Sequence, residues 1–448
     1  MSTARKPNTL RPHAKSFQEC LREFLTPAVW KQAQQARAPR RESTRWKTQT
    51  LVLVLLTMTW CCGDSAAERF ETAKAVCVAL LPKRKRPGKT VQGFQKALAK
   101  LPLPVLRAVG EGVRRALLRL LSNQWLVNGF VPLGCDGSRL ECPRSAELER
   151  HLGQAGKDLS APTLWLTTLV HVRLGVPWAW RWGKGNASER AHLVQLVRQL
   201  PNAALVIADA GYVGFDLART LAAAHVAFLI RLSSVVTLYT ENDLPLARFR
   251  DGEVYYWPPR QRGLPPLPVR LIRVRAKKKS DDVWLITNVM DRRRLTPVGA
   301  GQFYRWRWEN EGLFRTYKRT LSKVKLMSRS VRLVHREAEG SMLAAQLLLA
   351  QGAWGLRRVG ENESGACSAR KVLLAVRQEI AVLSTTRRSS CFRQRLSVAR
   401  RERRARTSRK ARRQWPRPRP TTPPKPPRIL KLTTKEKRVI HRFKQCAA

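Results

Sequence analysis

The sequence predicts an α/β protein: a mixed-sheet core carrying a β-rich insertion, preceded by a helical region and followed by more helices and a basic tail. Three observations predict it. From about residue 14 to 123 apolar residues recur every three or four positions, the spacing of amphipathic helices. From residue 130 short runs rich in β-branched and aromatic residues begin, and helical segments soon alternate with them, as in a sheet whose helices return over it. After residue 300 helical periodicity resumes, and beyond residue 385 the composition turns polar, basic and Pro-rich. The expected divisions are 1–128, a helical DNA-binding region; 129–232, the first part of the core; 233–300, the insertion; 301–384, helices; and 385–448, a disordered basic tail.

In the helical region, breaks fall near Pro39, Gly63, Pro87-Gly88 and residues 102–104. Its one long apolar run, LVLVLLTMTW at 51–60, is half the length needed to span a bilayer. It lies some fifty residues into a basic chain without a cleavage-site pattern, so it reads as a buried helix and not a signal peptide. No membrane partner is expected. Between two helices lies KRKRPGK, residues 83–89. Lys83, Arg84, Lys85 and Arg86 there are a solvated loop or targeting signal, or else contacts to a phosphate backbone. The GKT at 88–90 is not a P-loop, because Lys83 stands where the first glycine belongs.

The core begins with three strands: FVPLGCDGSRL at 130–140, TLWLTTLVHV at 163–172 and PWAWRWGKG at 177–185. Trp178, Trp180 and Trp182 alternate onto one face, better suited to packing under helices than to stacking on bases. A helix opened by Asn186 or Ser188, with Glu189 in its first turn, follows. Then come the strand ALVIAD at 204–209, the helix FDLARTLAAA and the strand HVAFLIRL at 225–232. Within the insertion VVTLYT, EVYYWPP, LPVRLIRVRA and DDVWLITNV read as strands.

The net charge of +55, from 86 Lys+Arg against 31 Asp+Glu, requires a polyanionic partner, and nucleic acid is the leading one. Residues 401–448 alone hold eighteen Lys+Arg against two Glu, a composition unable to bury a core. Nine cysteines without a C-x-x-C spacing argue against structural zinc and for reduced, intracellular thiols.

The residues that carry chemistry are carboxylates. Asp136 is followed by Gly-Ser and reads as a turn residue or, because the strand pattern continues through Leu140, as a carboxylate within a strand, costly there unless paired or metal-bound. Asp209 ends ALVIAD, as a helix cap or as a ligand beyond a strand's carboxyl end. Residues 303–318, FYRWRWENEGLFRTYK, read as one amphipathic helix. Tyr304, Arg307, Glu311 and Lys318 share its polar face, and Phe303, Trp306, Leu313, Phe314 and Tyr317 point away. Glu311 pairs with Arg307 and Arg315 on a solvated face, or supplies a third carboxylate. Three carboxylates on an α/β core in so basic a chain suit metal-assisted in-line phosphoryl transfer, with Arg307 and Lys318 clamping phosphates.

Asp136-Gly137-Ser138, Asp209-Ala210-Gly211-Tyr212 and Tyr304-x2-Arg307-x3-Glu311-x6-Lys318 together resemble the DDE transposases of bacterial insertion sequences, specifically the IS-four-type group with its Tyr-Arg-Glu-Lys signature. Arg231 also stands where members of that group carry arginine. The resemblance covers about residues 130–342. It implies an RNase H-like core, Mg2+ or Mn2+ (two ions) held by Asp136, Asp209 and Glu311, and contacts from Tyr304, Arg307 and Lys318 to the transposon end. It implies as partners double-stranded DNA, both terminal inverted repeats and target, and a homodimer on paired ends in a bacterial, nucleoid-associated setting. One position departs from the group: Asn310 stands where an aliphatic residue is usual, on the buried side of the helix. The alternatives are an RNase H-fold host nuclease and a catalytically inactive domesticated DNA-binding protein.

Overall fold

Among the described residues ten strands form one sheet: β1 Val131–Glu141, β2 Thr163–His171, β3 Val176–Lys184, β4 Ala204–Ala208, β5 Ala227–Arg231, β6 Thr237–Thr240, β7 Asp251–Tyr256, β8 Leu267–Val274, β9 Val283–Thr287 and β10 Arg428–Lys431. Their order is β10-β6-β7-β8-β9-β5-β4-β1-β2-β3. The computed structural model describes residues 15–37, 42–43, 45–153, 160–242, 249–275, 282–356, 366–385, 392–401 and 426–447. The chain divides into two units. One comprises Asn123–Leu140, Leu152–Phe314 and Arg403–Ala448, the other Met1–Ser122, Glu141–His151 and Arg315–Glu402. The helical unit is therefore gathered from three separate stretches, where contiguous domains were expected.

In the sheet unit β1, β4 and β5 run parallel and β2 and β3 antiparallel. Every residue of β4 is buried, as expected of a central strand covered on both faces. Helices Glu189–Leu196 and Phe215–Ala223 return the chain from β3 to β4 and from β4 to β5. The insertion is part of the same sheet, because β9 pairs antiparallel with β5 and so covers what would be an open strand edge. Arg270 of β8, 1% exposed, is held by both oxygens of Asp251 at 2.7 Å. One apolar cluster joins Phe130, Leu205, Ile207, Leu229, Ile272 and Leu285 to Leu295, Phe303 and Tyr304.

The tail differs from its expectation. Residues 402–425, with the Pro-rich run, lie outside the described residues. Beyond them β10 pairs in parallel with β6, and a helix spans Thr434–Ala447. Composition hid this because two apolar residues, Leu432 and Ile440, each 3% exposed, anchor the segment. Glu436 adds an ion pair to Arg262 at 2.9 Å and accepts from the Thr433 N–H at 2.9 Å.

The helical unit contains Phe17–Phe24, Pro27–Gln35, Thr48–Trp60, Ala66–Leu80, Val91–Lys100, Leu103–Leu120, Val331–Gly355, Ala369–Thr385 and Phe392–Ser397. Thr48–Trp60 is the apolar run read from the sequence, and nearly all of it is buried. It packs on Val331–Gly355, where a Cβ at Gly340 would meet Leu55 Cγ at 2.7 Å, and Trp60 Nε1 donates to the Ala344 carbonyl at 3.2 Å. Among the described residues no helix is long and apolar enough to cross a membrane. Cys20, Cys61, Cys77, Cys135, Cys142 and Cys367 are buried free thiols.

Candidate active site

Asp136 lies within β1, not in a turn: the strand continues on both sides of it. Gly134 of β1 pairs with Ile207 of β4 in a parallel register. Continued by two positions on each strand, that register aligns Asp136 with Asp209 at the carboxyl end of β4. Asp209 also caps the short turn Ala210–Tyr212, its Oδ1 accepting from the Gly211 N–H at 2.9 Å. Asp209 is thus a turn cap that also stands just past the carboxyl end of β4.

Asp136 Oδ1 accepts from the Gly137 N–H at 2.9 Å, and its Oδ2 faces Arg307 Nη1 at 3.4 Å. Burial raises the Asp136 pKa above the usual carboxylate range. The Gly137 N–H and Arg307 pull it down, and the charges of Asp209 and Glu311 push it up again. The charges of Asp209 and Glu311 thus both bear on Asp136. Among the described residues, no three His, Cys, Asp or Glu side chains stand grouped at metal-ligand spacing. The donor set is nonetheless hard oxygen of like charge, which suits a divalent cation in kind.

Residues 303–318 are not one helix. Helix Pro297–Trp306 ends in a turn at Arg307, whose N–H bonds back to the Tyr304 carbonyl at 3.2 Å. A second helix runs Glu309–Arg315, and a π-helical turn, Thr316–Thr320, follows. The turn directs Arg307 inward to Asp136, so the surface pairing of Glu311 with Arg307 does not form. Arg307 and Tyr304 are each 8% exposed, and the guanidinium lies 5.5 Å from the Tyr304 ring centre. The Tyr304 hydroxyl is buried without a hydrogen bond, so in this arrangement the ring backs Arg307 from within the core. Glu311 is exposed. Lys318 lies on the π turn in the helical unit, half-buried, its pKa lowered by burial and partly restored by Glu141. Arg231 ends β5, partly exposed.

Asn310 is fully buried, and neither its amide nitrogen nor its oxygen finds a partner. It sits against Gly134, where a Cβ would meet Asn310 Oδ1 at 2.8 Å and Val172 Cγ1 at 2.7 Å. Glycine at 134 lets the amide in. Elsewhere, the 83–86 loop is tied to helix Thr48–Trp60: Thr50 Oγ1 donates to the Lys85 carbonyl at 2.7 Å and Lys85 Nζ to Gln49 at 3.1 Å. Lys83, Arg84 and Arg86 remain exposed. Of the three tryptophans, Trp178 is buried, its indole N–H on the Gln199 carbonyl at 2.7 Å and its ring 5.3 Å from that of Trp125. It packs beneath neighbouring elements.

A fourth carboxylate stands at the site. Glu189, which the sequence marks only as a helix-opening acid, has its pKa raised by burial, lowered in part by the Tyr212 hydroxyl, and raised further by Asp136 and Asp209. Its one sequence signal is Gly137, the neighbour of Asp136, which leaves Glu189 room. Arg190 beside it donates to the Gly211 carbonyl at 2.9 Å, tying this helix to the Asp209 turn.

No curated protein matches the chain. Among solved structures, the piggyBac transposase synaptic complex with hairpin DNA is similar at a TM-score of 0.41 and 12% identity, over 84% of this chain and 81% of that one. Residues 135–347, which include Asp136, Asp209 and Glu311, match the family model described as the transposase DDE domain.

Proposed function

We propose that the chain is a DDE transposase of the IS-four type, which cuts DNA at the ends of an insertion sequence and joins them to target DNA. The observation that carries this reading is that Asp136 lies on β1 and Asp209 directly follows β4, its parallel neighbour, with the charges of Asp209 and Glu311 acting on Asp136. The match of residues 135–347 to the transposase DDE domain supports it. The core is proposed to be RNase H-like, the insertion extending its sheet through β9.

Asp136, Asp209 and Glu311 are the proposed ligands of Mg2+ or Mn2+, as two ions. When bound, such ions activate an attacking oxygen and stabilise a leaving one. The reaction is displacement at phosphorus. A water oxygen bonds to the phosphorus and the 3′ oxygen departs, taking a proton; the freed 3′-hydroxyl then attacks a target phosphate in the same way. Arg307, Asp136's counter-charge here, is proposed to turn to a phosphate of the DNA end, with Tyr304 holding it from behind. Lys318 supplies a second end contact, and Lys83, Arg84, Lys85 and Arg86 meet the backbone. Terminal inverted repeats, target DNA, a homodimer on paired ends and a nucleoid-associated setting follow from the resemblance.

The test is cleavage of a DNA carrying the repeats that flank the gene. Asp209→Asn and Glu311→Gln should each abolish Mg2+-dependent cleavage and leave DNA binding largely intact. Undiminished cleavage by either variant overturns the proposal.

A further inference from the structure

We propose that helix Thr434–Ala447 is a further docking surface for duplex DNA, gripping the phosphate backbone through Lys435, Arg438 and Arg442. This rests on the reading of DNA as the partner, and adds a contact outside residues 135–347, the stretch matched to the transposase DDE domain. A basic helix is ordinarily a solvated face whose charges are met by nearby acids. Here they are not. Spacings of three and four put Lys435, Arg438 and Arg442 on one stripe of the helix. All three are exposed, and among the described residues their side chains have neither an ion pair nor a hydrogen bond. The helix has one acid, Glu436, and it is turned the other way, onto Arg262 at 2.9 Å. That guanidinium lies over the rings of Tyr239 at 4.3 Å and Trp257 at 4.1 Å. The local negative charge is thus used in seating the helix on the sheet, and the outer stripe is left uncompensated.

The composition of the exposed face selects the partner. Ile440 is buried and Val439 and Phe443 are partly covered, so no exposed residue of the helix is apolar among those described. A helix that lies on a membrane needs an apolar face to sink into the lipid, and a protein interface needs an aromatic or aliphatic anchor at its centre. This face has neither, and offers cations alone, as a polyanion requires. The stripe from Lys435 to Arg442 is about 10.5 Å long at 1.5 Å per residue. Over that length one strand of duplex DNA presents about three phosphates, at 3.4 Å each. Leu432 and Ile440, buried in the sheet unit, and the pairing of β10 with β6 hold the cations at this spacing before DNA arrives, so little ordering entropy opposes the contact.

The experiment is titration of the full chain with a random-sequence duplex at several salt concentrations. Lys435→Ala, Arg438→Ala and Arg442→Ala together should reduce the slope of log affinity against log salt by about three and weaken binding roughly ten-fold at moderate salt. The melting temperature should stay near wild type, because alanine favours a helix. Should it fall, glutamines at the same three positions decide, with the same loss of slope expected. Alanines at Arg198, Arg250 and Arg293, three exposed cations of the same unit, should leave the slope near wild type. An equal loss from that control would reduce the effect to net charge and overturn the surface. A wild-type slope in the helix variant, alongside a lowered one on replacing Lys83, Arg84 and Arg86, overturns the surface and leaves the DNA reading standing. A wild-type chain that binds no duplex at low salt overturns both. Phosphatidylserine vesicles supply the remaining arm: a helix variant that loses vesicle binding but keeps duplex binding gives the stripe to a membrane and overturns the proposal.

Discussion

Arg307 and Asp136, 171 residues apart in sequence, meet at 3.4 Å. The contact exists because the helix breaks at Arg307; a continuous helix would leave that side chain on the same face as Glu311. With 8% of its surface exposed, Arg307 balances a carboxylate that burial and two neighbouring acids make costly to ionise. Binding of a metal at Asp136 would release this guanidinium for a phosphate. Arg307→Ala should therefore weaken binding to the DNA end by about 1–3 kcal/mol and reduce the slope of log affinity against log salt by about one. Arg307→Lys should recover only part of the loss, since an ammonium cannot present a planar fork. Titrations at two or more salt concentrations check this, and unchanged affinity at moderate salt counts against the contact.

Where the candidate carboxylates lie in the fold was legible in the sequence, for identifiable reasons. Asp136 and Asp209 sit in or at the end of runs whose period-two or fully apolar patterns fix them as strands, so their placement on a sheet followed. The break at Arg307 was not legible. Residues 303–318 keep helical spacing throughout, and nothing in that spacing marks the turn at Arg307 that carries its side chain to Asp136. Glu189 was missed because its local pattern is that of a helix start, and its reach toward Asp136 depends on the absence of a side chain at Gly137. The ordered end of the tail was masked by charge: two buried residues, Leu432 and Ile440, hold it, too few to register in composition.

Asn310 offers a separate test of the helix that bears Glu311. Its amide is shut from water with both polar atoms unpaired, and leucine has the same branching at Cγ. Asn310→Leu should stabilise the protein by about 1–3 kcal/mol, the usual cost of orphaned buried polar groups. Gly134 and Val172 give it a snug fit, so the gain belongs at the lower end if they must shift. Urea unfolding followed by tryptophan fluorescence measures it; a loss of stability would show that the amide has a partner in solution.

The helical unit should be acid-sensitive through Glu337. Burial alone would raise its pKa, but Lys323 and the N–H of Ser328 more than offset that and hold it below the ordinary carboxylate range. Lys323 Nζ lies 3.0 Å from Oε1, and the Met327 and Ser328 N–H groups reach Oε2 at 3.0 and 2.9 Å. A depressed folded pKa means the stabilisation is complete above the unfolded pKa and disappears as pH falls through the folded one. At pH 7 Glu337→Gln should cost about 3–5 kcal/mol, as for a buried pair stripped of one partner. The gap between variant and wild type should narrow as pH falls below the carboxylate range. Unfolding free energies across pH 3–7 test both parts, and a gap independent of pH would refute the charge pairing.

The 83–86 loop makes a prediction that Arg307 does not. Lys85 is held by Gln49, whereas Lys83, Arg84 and Arg86 are exposed on a backbone pinned by Thr50. A rigid loop carrying free cations suits a backbone contact without sequence readout. Replacing Lys83, Arg84 and Arg86 together with alanine should lower affinity for any duplex DNA and reduce the salt slope by about three. Discrimination between end and random sequence should survive, because phosphate contacts position without specifying. The same titrations run on both DNAs separate the cases. A lost preference for the end would make the loop a reader of sequence, and an unchanged slope would return it to a solvated turn.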